Sequence, residues 1–244
     1  MIRSWLASLK EEEMSSRSLN RKISSLKSFF RFCLKKGWID LMPTEQLVLP
    51  RVDRRLPGFV EEKDMETLLK QVSFPDNWQG ITDRLLITVF YHTGIRLQEL
   101  VNLKESQWDF GRKLIKVLGK GNKERLIPVN ESLCTEAKEY MALKRKTFDH
   151  PESTQLLVTS KGTRIYPKYA YRAVKTYLGE VTTAEKKSPH ILRHSFATHL
   201  ANRGADLNSV KELLGHSSLA ATQVYTHNTI EKLKDVYKKA HPKA

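Results

Sequence analysis

Between Leu19 and Leu34 apolar residues return every three or four positions, as Leu19, Ile23, Leu26, Phe29/Phe30 and Cys33/Leu34. That spacing gathers them on one stripe of an α-helix. Arg17, Arg21, Lys22, Lys35 and Lys36 occupy its other faces, and Gly37 supplies a stop. The pattern breaks from Met42-Pro43 to Leu56-Pro57-Gly58, where prolines stiffen the chain and Arg51, Arg54 and Arg55 charge it. Helical spacing resumes over Glu61–Val72, with acids in the first turn. The apolar stretch Leu85–His92 predicts a buried helix stopped by Gly94, and a further helix is expected from about Arg96 to Lys104. Lys113–Leu118 and Glu124–Val129 are short β-rich runs around Gly119-Lys120-Gly121-Asn122, which is turn chemistry, so they predict a hairpin. Helices follow at about 131–147, 167–179, 189–203, 207–214 and 229–240, interrupted by a strand at Leu156–Thr159 and a Lys161-Gly162 turn. The pattern predicts a mainly α fold with a small β-sheet or hairpin, of α+β class. A small helical N-terminal domain (1–41) is followed by a basic proline-containing linker (42–58) and a larger mixed domain (59–244).

Composition narrows the class. The 244 residues are 40% hydrophobic and 28% charged, which suits a globular protein and not a disordered one. No apolar run approaches the ~20 residues of a membrane-spanning helix. Near the start, Trp5-Leu6-Ala7 gives way to Glu11-Glu12-Glu13, unlike the apolar core of a secretory signal. Cys33 and Cys134 are the only cysteines, which excludes a disulfide framework and points to a reducing cytoplasm. Lys and Arg number 42 against 27 Asp and Glu, a net charge of +15. Residues 1–58 carry +6 of it and the remainder +9, so both parts are basic. Such a surplus suits a polyanion, and nucleic acid is the commonest in cytoplasm.

Five segments then fall in order. Thr93-Gly94-Ile95-Arg96-Leu97-Gln98-Glu99-Leu100 sets an arginine just after a helix stop. The hairpin turn carries Lys120. Ser188-Pro189-His190-Ile191-Leu192-Arg193-His194 places His190 and Arg193 three apart on one face of a helix start. Leu213-Leu214-Gly215-His216-Ser217 puts a histidine past a glycine stop, and Tyr225 follows nine residues later. Taken singly each has an ordinary reading: Arg96 pairs with Glu99 or Gln98, His216 caps a helix, Tyr225 is core.

Together they resemble the tyrosine recombinase (phage integrase) family, whose pattern is T-G-x-R-x-x-E-L, a hairpin lysine, H-x-L-R-H, L-G-H-S and a tyrosine shortly after. The match is most similar to the Xer-type site-specific recombinases. It includes Gly119-Lys-Gly-Asn-Lys-Glu-Arg125, the Gly204-Ala205-Asp206 turn and the terminal His241-Pro242-Lys243-Ala244. The resemblance implies a small helical DNA-binding domain ahead of a catalytic domain. Family members carry one or two more helices ahead of the segment corresponding to Ile2, which implies a truncated or smaller N-terminal clamp here.

The chemistry wants these residue types. A phosphodiester in transfer gains negative charge on its non-bridging oxygens, and the guanidiniums of Arg96 and Arg193 clamp such oxygens with paired donors. Preorganised donors of this kind are often the largest catalytic contribution. Tyr225 is the nucleophile; its hydroxyl, ordinarily near pKa ~10, needs a base, for which His190 is the candidate. Lys120 delivers a proton to the leaving 5′-oxygen, with Lys123 as the competing lysine. His216 donates a further hydrogen bond to the phosphate, and Glu99 buttresses the arginine helix without reacting. Arg17, Arg21, Lys22, Arg51, Arg54, Arg55, Lys123 and Arg125 are the expected DNA contacts.

The ester keeps its bond energy in a 3′-phosphotyrosyl link, so no ATP, metal or other cofactor is expected. The resemblance implies two double-stranded recombination sites held by a homo- or hetero-tetramer, with the helix from Thr229 to about Ala240 docking on a neighbouring protomer. It also implies a partner recombinase, a DNA translocase as activator, and a role in chromosome partition. The rival readings are a mobile-element integrase of the same chemistry, a type IB topoisomerase and a non-catalytic DNA-binding protein. Zinc on His190 and His194 with His199 or His216 is the metal alternative, though no carboxylate or cysteine stands at a ligand position.

Overall fold

The computed structural model describes residues 1–51, 58–119, 124–148, 154–215 and 227–242, with the backbone alone for 227–233. The chain forms two compact units, Met1–Leu56 and Pro57–Ala244.

The first unit holds α1 (Ile2–Glu11) and α2 (Ser16–Lys35). Ser15 starts α2 by accepting a hydrogen bond from the Ser18 N–H at 3.3 Å. Gly37 ends it at φ +70°, and the Trp38 N–H returns to the Cys33 carbonyl at 3.0 Å. Of the periodic stripe Leu19, Ile23 and Cys33 are buried, together with Leu9 of α1, whereas Phe29 and Leu34 are exposed. Residues 42–50, expected to be linker, instead lie on α2. Leu47 is buried, the Asn20 side-chain amide donates to the Pro50 carbonyl at 2.9 Å, and Lys27 Nζ donates to the Leu47 carbonyl at 3.3 Å. An irregular segment holding a buried leucine needs such partners for its backbone.

The second unit is built on α4 (Trp78–Thr93), preceded in the chain by α3 (Glu62–Lys70) and followed by α5 (Leu97–Val101). α4 is buried nearly all round; Leu85, Leu86, Ile87, Val89 and Phe90 are each at most 1% exposed. It starts earlier than the apolar pattern indicates. Asn77 caps it on the Gly80 N–H at 2.9 Å, and the polar residues Thr82 and Asp83 in its first half are buried. The Thr82 hydroxyl, for example, meets the Tyr140 hydroxyl at 3.0 Å and the Val158 carbonyl at 3.2 Å.

The sheet is antiparallel, in the order β1 (Trp108–Asp109), β2 (Leu114–Leu118), β3 (Glu124–Pro128). The expected hairpin is β2–β3, with Ile115 opposite Ile127 and Val117 opposite Arg125. The run Leu156–Thr159 does not join this sheet; the segment makes the isolated bridges Lys104–Gln155 and Val158–Arg164.

The remaining helices are α6 (Glu131–Thr147), α7 (Pro167–Val181), α8 (Pro189–Asn202), α9 (Leu207–Leu214) and α10 (His227–Ala240). α6, α7 and α8 pack around α4. A second cluster joins Phe196 and Leu200 of α8, Val210, Leu213 and Leu214 of α9, and Tyr237 and Ala240 of α10. α10, expected to dock on a neighbouring protomer, thus has one face buried on its own unit, while Lys238 and Lys239 are exposed. The fold is mainly helical with a small sheet, and among the described residues no helix is long and apolar enough to cross a membrane.

Candidate active site

α4 ends at Gly94, whose N–H returns to the Phe90 carbonyl at 2.9 Å while the residue turns left-handed at φ +57°. A side chain there would be strained in φ, and its Cβ would lie 2.5 Å from Phe196 Cδ1 and 2.9 Å from Leu214 Cδ2. Glycine therefore lets α4 turn tightly against α8 and α9. The turn delivers Arg96 as the cap of α5. Its backbone N–H donates to Glu99 Oε2 at 2.8 Å and its Nη1 to Glu99 Oε1 at 2.8 Å.

α8 begins at Pro189, which suits a first-turn position. His190 is exposed in that turn, and Arg193 lies half-buried one turn on. Arg193 Nη1 donates to the Gly94 carbonyl at 2.5 Å and Nη2 to the Leu214 carbonyl at 2.6 Å. Arg96 Nη2 donates to the Gly215 carbonyl at 2.5 Å. Both arginines therefore converge on the end of α9, where Gly215 is left-handed at φ +63°. His216 is the next residue in the chain.

Arg125 reaches the same place from β3. It was expected to contact DNA, but its side chain is only 5% exposed. Nη1 and Nη2 grip the two oxygens of Glu99 at 2.8 and 2.7 Å, and Nε donates to the Leu213 carbonyl at 3.0 Å. Arg125 is thus spent inside the protein: an arginine on the covered side of a strand must find fixed acceptors.

The site is electrostatically unbalanced. Three guanidiniums surround one carboxylate, among the described residues, and the carbonyls of Leu213, Leu214 and Gly215 take one donor each. These are orphan carbonyls at the negative end of α9, natural partners for cations. Burial, together with the neighbouring charges of Arg96 and Arg125, pulls Arg193 down to about 10 against a smaller opposing effect of Glu99. It stays charged at neutral pH, and an anion beside it would relieve the crowding. Burial would raise the Glu99 carboxyl, but the hydrogen bonds and charge of Arg125 and the hydrogen bonds of Arg96 outweigh it and hold it down at about 2.

A carboxyl whose pKa is lowered by folding stabilises the native state above its unfolded pKa and loses that contribution as pH falls through the folded value. From an ordinary 4.5 to about 2, the contribution is about 3 kcal/mol. Glu99→Gln should therefore be less stable than the unchanged chain by about that much at pH 7. The gap should close as pH falls from about 5 to 2, as read by urea unfolding at each pH. A gap independent of pH would show that the carboxylate charge is not what holds this site.

A groove of about 790 Å³ runs from Arg96 past Lys104 and Lys116 to Leu118 and Gly119 at the open end of the hairpin stem. Lys120 and Lys123 belong to that hairpin tip and lie outside the described residues, as do His216, Tyr225, Arg54 and Arg55. In the first unit Arg17, Arg21 and Arg51 are exposed, and Lys22 lies over the Trp5 ring, its Nζ 5.7 Å from the centroid. The structure thus brings Arg96 and Arg193 together and adds Arg125, whose role the sequence left unseen; its one signal was a place opposite buried Val117. His199 is no metal ligand: Nε2 meets the Val60 carbonyl at 2.9 Å and Nδ1 the Tyr91 hydroxyl at 3.1 Å.

Comparison with known proteins gives a consistent picture. The phage integrase family matches residues 58–232, and the phage integrase N-terminal SAM-like domain matches residues 1–37. A tyrosine recombinase XerC of Chlorobaculum parvum is 40% identical over 263 aligned positions, covering 100% of this chain and 78% of the relative. That of Oceanobacillus iheyensis is 38% identical over 250, covering 100% and 80%. In fold, the chain is similar to the XerH site-specific recombinase bound to a palindromic difH substrate in a post-cleavage complex. The TM-score is 0.73 at 22% identity, covering 100% of this chain and 69% of the other.

Proposed function

This chain belongs to the phage integrase family and is a tyrosine site-specific recombinase, and we propose that it resolves chromosome or plasmid dimers in the cytoplasm with Tyr225 as its nucleophile. The observation that carries the site assignment is the convergence of Arg96 and Arg193 on the end of α9, with positive charge in excess of Glu99. A scissile phosphate beside them receives donors that remain after the carbonyl bonds are made, since each guanidinium has five N–H groups.

His190 takes the Tyr225 proton as the phenolate oxygen attacks phosphorus. The bond from phosphorus to the 5′-oxygen breaks, Lys120 protonates that oxygen, and His216 steadies the phosphate. A 5′-hydroxyl of the partner duplex then attacks the 3′-phosphotyrosyl ester and releases Tyr225. The two esters are close in energy, so the exchange needs neither ATP nor a metal. The double-stranded site is held by Arg17, Arg21, Lys22, Arg51, Arg54, Arg55 and Lys123 through counterion release. Four protomers, identical or shared with a partner recombinase, assemble through α10 and answer to a DNA translocase.

The test is incubation with a recombination site nicked next to the cleavage point, so that the short 5′-hydroxyl fragment diffuses away and the adduct is trapped. A covalent protein–DNA adduct is expected, at equal yield in saturating EDTA. An EDTA-sensitive reaction restored by zinc or magnesium would replace this mechanism with a metal-assisted one.

A further inference from the structure

We propose that Arg125 is a positioning residue that locks three catalytic segments into one rigid unit, and that its work is done without touching DNA. The proposal rests on the reading of Arg96 and Arg193 as the phosphate clamp. Arg125 stands opposite Val117, one position inside Glu124, the first residue of β3, so its backbone is fixed to the stem of the hairpin whose tip carries Lys120. Its fork holds both oxygens of Glu99, at 2.8 and 2.7 Å. Glu99 in turn holds the backbone N–H and Nη1 of Arg96, both at 2.8 Å. Arg125 Nε donates to the Leu213 carbonyl at 3.0 Å, two residues before the left-handed turn that leads into His216.

The close approach extends to the turn itself. A Cβ on Gly215 would meet Arg125 Cδ at 2.9 Å and Nε at 3.3 Å. The Arg125 stem thus fills the space above that glycine. One side chain therefore ties the hairpin, the Arg96 box and the end of α9 together. Only a planar fork with a third donor on its stem side can reach these acceptors at once; a lysine ammonium is a single point charge. Arg96 and Arg193 depend on the same carbonyl cluster, so loosening Arg125 displaces the clamp. Displacements of about 1 Å in such a site cost on the order of 10²-fold in rate.

The experiment uses the full chain and single-turnover cleavage at saturating DNA. Arg125→Met keeps the stem and removes the fork, and is expected to cleave about 10²-fold more slowly. It should leave the slope of log K against log salt unchanged. A fall of the slope by about 0.9 would mean that Arg125 contacts a phosphate and would overturn the proposal. Because Arg125→Met leaves Glu99 short of a partner and can lower stability, a second variant, Arg125→Lys, keeps a positive charge beside Glu99 while removing the fork. It should regain stability in urea yet remain slow. Cleavage that returned with stability would show a structural role only.

A methylphosphonate at the scissile position separates positioning from general damage. It removes one non-bridging charge and with it part of the demand on the clamp. The Arg125→Met defect should shrink on that substrate, and an undiminished defect would overturn the proposal. Arg96→Ala is the control for the underlying reading. If it cleaves the natural site at the full rate while Arg125→Met does not, the arginine clamp itself is wrong and the proposal falls with it.

Discussion

Tyr225→Phe should form no covalent adduct on a nicked recombination site, while its affinity for that site changes by no more than about fivefold. The substitution removes one oxygen. If Tyr225 is the nucleophile, that oxygen is the atom that bonds to phosphorus, and a phenylalanine side chain has no atom to replace it. For binding, the same oxygen is worth at most a single hydrogen bond among contacts spread over a chain with 42 lysines and arginines. The two readouts therefore separate fully: adduct by denaturing gel, affinity by titration of the intact site. An adduct at undiminished yield in Tyr225→Phe would mean that another residue attacks. Loss of binding in step with loss of adduct would mean that Tyr225 supports the fold or the interface.

Lys120→Ala should be slowed about 10²- to 10⁴-fold on natural DNA. It should cleave at close to the full rate where the bridging 5′-oxygen at the scissile phosphate is replaced by sulfur. The leaving alkoxide is strongly basic and needs a proton as the bond breaks; a thiolate, by analogy with a thiol pKa of about 8.5, scarcely does. Rescue by sulfur thus reads the proton donor directly. Arg96→Ala and Arg193→Ala should stay about 10²- to 10³-fold slow on both substrates, because the non-bridging charge they meet is the same in each. Lys123→Ala should be affected modestly on either. Sulfur rescue of Lys123→Ala in place of Lys120→Ala would exchange the two lysines. Slow cleavage by both variants on both substrates would leave the hairpin a DNA-positioning element.

The chain's own order of residues settles a good deal. The three-and-four spacing of Leu19, Ile23 and Cys33 places one face of α2 inside, and these residues are buried. Alternation and turn chemistry around Gly119–Asn122 specify the β2–β3 hairpin, which is local and needs nothing distant. Gly94 and Gly215 mark helix ends, and both are left-handed there. The family pattern is carried by five short boxes, so membership was legible without coordinates.

Tertiary structure alone decided how the boxes meet. The start of α4 was hidden because Thr82 is polar and yet buried, satisfied by Tyr140 and Val158, partners 58 and 76 positions away. The run at Leu156–Thr159 has strand composition but finds only isolated bridges, since pairing depends on a neighbouring strand in register. Arg125 reads in sequence as one more basic residue of a basic hairpin. Its burial follows from standing opposite Val117, and its partners lie 26 and 88 positions away, at Glu99 and Leu213. Local pattern reports the period of a helix or strand and the side it covers. Which acceptor a buried guanidinium finds is set by the packing of α5, β3 and α9, and no spacing along the chain encodes that meeting.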